Sequence, residues 1–179
     1  AAVKLHSSAS SNGDLFIDGS TDLAVGGNLS ITATTGNITQ GAAVAVTGTS
    51  SFTTSASNGT TTLSTTTNAL TGAVALSSTG SSGNVTIDNG TTALNIAASS
   101  VGGNLTVTSG DSITDSGVLT IGGTASFTTD TTNKPITLNS QNAITGQVTF
   151  ATTGTGGDVT LDNGTTAISL GTIGSSAIG

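Results

Sequence analysis

Val25-Gly26-Gly27-Asn28-Leu29-Ser30-Ile31-Thr32 returns 76 positions later as Val101-Gly102-Gly103-Asn104-Leu105-Thr106-Val107-Thr108. A chain that copies itself at a long fixed period is read as a repeat architecture before any other. The copy runs on. Thr49-Ser50-Ser51-Phe52-Thr53-Thr54 answers to Thr124-Ala125-Ser126-Phe127-Thr128-Thr129, and Asn68-Ala69-Leu70-Thr71-Gly72-Ala73-Val74 answers to Asn142-Ala143-Ile144-Thr145-Gly146-Gln147-Val148. Asn84 to Ala93 matches Asp158 to Ala167, and the offset slips from 76 to 74 along the way. Length is therefore kept in the matched blocks and relaxed between them.

Within each block, apolar residues alternate with Thr, Ser or Asn in short runs broken by Gly, Asn and Asp. That is the pattern of half-buried strands and turns, and no window carries the 3.6-residue period of a helix. Glu is absent. The alternation sorts into seven groups of three strands, so the expected fold is all-β: a right-handed parallel β-helix (β-solenoid) of about seven three-stranded coils, the hand following from the crossover rule. The coils are placed near residues 3–25, 28–47, 51–71, 73–97, 104–121, 125–145 and 147–170, in one repeat region covering 1–179. Stacking them gives an inward column of Leu5, Ile31, Phe52, Leu76, Val107, Phe127 and Phe150. A second column reads Leu23, Val44, Leu70, Leu94, Leu119, Ile144 and Ile168, all apolar. Like positions in such a stack lie about 4.8 Å apart. One coil buries too little to fold alone, so stability is a sum over neighbours. Both ends of the sequence fall inside the repeat, which reads as an excerpt of a longer array or as copies joined end to end.

Composition narrows the function. Only 6% of the 179 residues are charged, against about 25% in an ordinary soluble domain, and the formal net charge is -7. Such a chain could be low-complexity and disordered, but its 34% hydrophobic residues sit at alternate positions, as packed strands require. Lys4 and Lys134 are the only cations beside His6. Nucleic-acid binding needs clustered Lys and Arg to neutralise phosphates, so it is excluded. No apolar run reaches the ~20 residues of a membrane-spanning helix, so no membrane insertion is expected, and no signal peptide is visible at Ala1-Ala2-Val3-Lys4-Leu5. Cys is 0, which rules out disulfides and zinc–thiolate sites and suits a chain exported unfolded.

Gly27-Asn28-Leu29-Ser30-Ile31, Gly36-Asn37-Ile38-Thr39-Gln40, Asn68 to Val74 and Gly103-Asn104-Leu105-Thr106-Val107 resemble the β-strand repeats of filamentous-haemagglutinin-like exoproteins. These are giant bacterial surface or secreted proteins. The resemblance covers essentially the whole chain. It implies a β-helical shaft in an extracellular or cell-surface protein, with a role in adhesion, biofilm or surface structure. Expected partners are neighbouring coils, copies of the same chain end to end, and surface glycans or matrix. The secretion-directing domain of those proteins is not in this sequence, and their repeats carry no catalytic residues to transfer.

Side-chain chemistry points the same way. The single His6 has no triad around it and reads as a surface residue. A β-helical polysaccharide lyase joins an acidic calcium site to a cationic base, and with no Arg the base is missing. The chain is therefore read as no enzyme, and no cofactor is assigned. Asp88 and Asp115 end what read as the middle strands of adjacent coils, which would bring their carboxylates within bridging reach of Ca²⁺. Solvated turn aspartates are the plainer reading, because the calcium-binding nonapeptide of β-rolls is absent. The many Asn-x-Ser/Thr triplets, such as Asn28-Leu29-Ser30, follow from composition. Finally, Lys4, Ser30, Thr53, Ala75, Thr106, Thr128 and Thr149 form the outward column of the first strand. Regular Thr rows on a flat face suit ice or glycan binding, an alternative function; equally, Thr suits the solvent side of any strand.

Overall fold

Alternating side chains on an extended backbone put one set inward and the next outward, and the described strands follow that rule almost throughout. The computed structural model describes residues 3–7, 14–17 and 21–176, without side-chain detail for 3–7, 15, 175 and 176. Its described elements are all strands, and every strand pairing is parallel. The fold is a β-solenoid of about seven turns.

The first coil comprises β1 (Val3–Ser7), β2 (Leu15–Ile17) and β3 (Leu23–Val25). The second comprises β4 (Leu29–Ala33), β5 (Ile38–Gln40) and β6 (Val44–Val46). The third comprises β7 (Ser50–Ser57), β8 (Thr61–Leu63) and β9 (Ala69–Leu70). Long strand stacks on long, middle on middle and short on short, making three sheets. Leu5, Ile31, Phe52 and Leu76 stand in continuous register, with Ile31, Phe52 and Leu76 at most 1% exposed. Among the described strands β9 is the last of the three-stranded sheet.

After β10 (Val74–Thr79) and β11 (Val85–Asp88) the geometry changes. Both β12 (Leu94–Ile96) and β13 (Ser99–Val101) lie on the single long strand β10, with Ile96 on Val74 and Ser100 on Ser77. The next long strand, β14 (Leu105–Ser109), therefore lands on β11, a middle strand, in the neighbouring sheet. Coils built of β15 (Ile113–Asp115), β16 (Leu119–Ile121) and β17 (Ala125–Thr129) keep the new phase. So do β18 (Ile136–Leu138), β19 (Ala143–Ile144) and β20 (Gln147–Thr153). Finally β21 (Val159–Leu161) closes one sheet and β22 (Ser169–Ser176) the other.

This phase shift corrects the expected stacking. Val107 does not follow Leu76; it lies on Ile87, and the second column is Ile87, Val107, Phe127, Phe150. The other column is also redrawn. Leu23 pairs with Val44, but Leu70 pairs with Val46, Leu94 with Ile113, Leu119 with Ser99, and Ile144 with Ile121. Val44, Leu70, Leu94, Leu119 and Ile144 are buried as expected, while Ile168 is 50% exposed. The cause is local. Asp88 and Gly102 stand 14 positions apart, whereas Asp18 and Gly26 stand 8 apart, and the longer link adds one strand before the long strand returns.

Corners are tight. A Cβ at Gly72 would overlap the carbonyl oxygen of Gly48, and one at Gly146 would overlap that of Gly123. Gly90 and Gly164, both at φ 56°, turn the chain where the short-strand column ends.

Candidate functional surfaces

Corner asparagines latch each coil to the next. Asn28 Oδ1 accepts the N–H of Thr49 (3.0 Å), Asn37 Oδ1 that of Thr60 (2.8 Å), and Asn84 Oδ1 that of Asn104 (2.8 Å). Asn104 Oδ1 accepts from Thr124 (2.8 Å) and Asn133 Oδ1 from Gly156 (3.0 Å). Asp14 takes the same role toward Asn37 (2.6 Å). In each pair the acceptor lies on the earlier coil, so the latch has a direction. These N–H groups sit at corners, outside the strand ladders, and the side-chain oxygens pair them within the chain.

A second set of asparagines works inside. Asn68 Oδ1 accepts from Val44 N–H (2.8 Å), and Asn142 Oδ1 from Leu119 N–H (2.8 Å). Asn68 is held by Gln40 through two hydrogen bonds, 2.8 and 2.9 Å. Its counterpart Asn142 donates to Asp115 Oδ2 (2.8 Å), because the repeat carries Asp115 where Gln40 stood. In the first set Asn28, Asn37, Asn84 and Asn104 each stand directly before the Leu, Ile or Val that opens a strand, whereas Asn68 and Asn142 share Asn-Ala-Leu/Ile and nothing local marks them as buried.

The two carboxylates weighed as a bridging pair end strands of different sheets. Asp88 ends β11 in the eight-stranded sheet and stands beside Thr108; Asp115 ends β15 in the eleven-stranded sheet, beside Ile96. The phase shift separates them. Asp88 Oδ1 accepts the N–H of Gly90 (2.8 Å), and Asp115 accepts from Asn139 (2.9 Å) and Ser140 (3.2 Å) in addition to Asn142. Among the described residues no three His, Cys, Asp or Glu side chains gather into a metal-binding group. Lys134 Nζ meets Asp111 Oδ2 at 2.8 Å on the surface, and that hydrogen bond foremost, with one from Ser112 N–H, holds the Asp111 carboxyl below its ordinary range. The side chains of Lys4 and His6 lie outside the described residues.

The outward hydroxyl column also moves. Ser30 pairs with Ser51, which in turn pairs with Ala75, whereas Thr53 pairs with Thr32 and Ser77. Thr106, Thr128 and Thr149 do not form one line, because Thr106 pairs with Ser126 and Thr128 with Thr108. The continuous ladder runs Thr39, Thr62, Thr86, Thr106, Ser126, Thr149 along the eight-stranded sheet. Exposed Phe16 stands at its start, beside Thr39.

A family described as repeats of unknown function (DUF5649) matches residues 7–77 and again residues 82–151. The chain belongs to that family. The two matched DUF5649 segments start about 75 residues apart, the spacing of the repeat read from the sequence, the first running from β2 into β10 and the second from β11 into β20. Each carries its long strands on a different sheet. Among curated proteins and among solved structures none matches.

Proposed function

We propose that this pair of DUF5649 repeats is a section of a stiff, non-enzymatic shaft in a long extracellular or cell-surface bacterial protein of the filamentous-haemagglutinin-like kind. Its work is structural and adhesive: it holds a tip, or a glycan- or matrix-binding surface, away from the cell. One observation carries the reading. Eight strands, from β2 to β22, pair in one unbroken parallel series along the solenoid axis. At about 4.8 Å per strand this is a rod near 34 Å long, and every added repeat lengthens it without changing its width. Small-angle X-ray scattering from the purified chain, and from chains of increasing repeat number, tests it. A constant cross-section with length growing in proportion supports the shaft; a compact particle that thickens with repeat number sinks it.

The hydroxyl ladder on the eight-stranded sheet favours a second reading, a ligand-binding face for ice or glycan. Six consecutive coils present Thr or Ser at one outward position. Thermal hysteresis and glycan-array binding, each lost with Thr86→Lys and Thr106→Lys, would support it. Wild-type protein inactive in both assays removes it.

A further inference from the structure

The boundary between the two repeats is joined differently on its different sides. On the eight-stranded sheet the ladder is unbroken. Val85, Thr86 and Ile87 of β11 lie on Thr61, Thr62 and Leu63 of β8, and Leu105, Thr106 and Val107 of β14 follow in the same register. Thr61 N–H donates to the Asn84 carbonyl at 3.0 Å, and Val85 N–H to the Asn104 carbonyl at 2.8 Å. Both bonds run from backbone to backbone.

The other sides lack that continuity. The three-stranded sheet ends, among the described strands, at β9, and the Leu70 N–H there donates to Asn89 Oδ1 at 2.8 Å. On the eleven-stranded sheet β10 forks: β12 joins it at Val74, and β13 at Ser77 and Ser78. Between the two arms the Leu76 N–H donates to a side chain, Ser99 Oγ, at 3.0 Å. A recess of 390 Å³ opens over the fork, with Ala75, Leu76, Ala98, Ser99 and Val118 in its lining. Leu70, Leu76, Thr61 and Val85 are each at most 1% exposed. Burial does not distinguish them; the kind of partner does. A ladder residue is held through its strand neighbours and opens only with them, whereas a single side chain can rotate away alone.

We propose that the repeat boundary is a one-sided hinge. The β8–β11–β14 ladder is its strap, and the coils part on the sides where Asn89 and Ser99 hold the backbone. Bending there releases side-chain bonds while the strap keeps the two repeats in register. The inference goes beyond the shaft reading, since it rests on the stacking of the coils and gives the rod a joint between stiff repeats.

Amide hydrogen exchange, followed by NMR on the intact chain, tests it. Leu70 and Thr61 bond across the same step of the solenoid on different sides, and Leu76 and Val85 do so across the next. After correction for intrinsic rates, Leu70 and Leu76 should exchange about tenfold or more faster than Thr61 and Val85. Ser77→Cys with Ser100→Cys staples the fork across a register pair, in a chain with no cysteine of its own. The strand spacing of about 4.8 Å is one a disulfide can span. Oxidised, the staple should slow Leu76 to the rate of Val85, and reduction should restore fast exchange. Equal rates at all four amides, or fast exchange at Leu76 with the staple closed, overturns the hinge. Small-angle scattering from the same samples keeps the two readings apart. A rod with four equal amides loses the hinge alone; a compact particle overturns the shaft, and with it the stacking on which the hinge rests.

Discussion

Asn89 and Leu70 are joined as two strand residues would be, although Asn89 contributes only its side chain. Its Oδ1 accepts the Leu70 N–H at 2.8 Å, and its Nδ2 donates to the Leu70 carbonyl at 3.2 Å. The same amide donates to the carbonyls of Thr92 and Ala93, both at 3.0 Å. Asn163 repeats the arrangement on Ile144, at 2.9 and 3.1 Å. One amide thus ends the column of short strands, satisfies the backbone left bare there, and lets the chain cross to a different side of the coil.

Removing that amide strands buried groups. Asn89→Leu is expected to destabilise the chain by about 2–4 kcal/mol, since the Leu70 N–H and C=O lose their partners inside a dry core. Urea unfolding followed by circular dichroism would measure it. Asn89→Asp keeps the acceptor but loses the donor and buries a charge, so it should be no milder.

The packed corners allow no added atom. Gly72→Ala places a methyl against the backbone of Gly48, which is held in its own coil and cannot swing away as a side chain would. A loss of roughly 1–3 kcal/mol is expected from this overpacking. Gly26→Ala, with open space around it, should change the unfolding midpoint little by comparison.

Phe127 and Phe16 separate burial from residue type. Phe127 is fully buried, and its ring stacks on Phe150 with centroids 5.8 Å apart. Phe127→Ala should cost about 3–5 kcal/mol. Phe16 is 59% exposed, and Phe16→Ser should leave stability almost unchanged. Thermal melts of the two variants side by side decide the point.

The Lys134–Asp111 pair sets a pH test. Its folded-state carboxyl is held below the ordinary value, first by the Lys134 hydrogen bond. A depressed Asp pKa adds stability that is present above the unfolded value and fades as pH falls through the folded one. The wild-type advantage over Asp111→Asn should therefore exist at neutral pH and vanish as pH drops below the ordinary range of Asp. It should be small, because both side chains are about one-third exposed and such pairs contribute at most about 1 kcal/mol. Melting temperatures of both proteins across that range would show it.

The hydroxyl ladder and the asparagine latches show how far a linear reading reaches. Alternation alone puts Ile31, Phe52, Phe127 and Phe150 inside, and all are buried. It also puts Thr106 outside, but the neighbours above and below it, Thr86 and Ser126, follow from the stacking of the coils. Asp88 and Asp115 look alike in the sequence, as acidic ends of three- or four-residue strands; the coil beneath each decides that they belong to separate sheets.

The amino-acid order determined every described strand but β13 and most of their inward and outward faces, because these depend on covalent geometry within a few residues, and it displayed the two-copy repeat directly. Only the tertiary structure decided which strand lies on which. Stacking depends on the summed length of chain between strands, and the longer link between Asp88 and Gly102 turns the second repeat by one side relative to the first. Any two strands whose apolar faces both point inward can pair in register, so a strand of that pattern settles on whichever neighbour the length of its links allows.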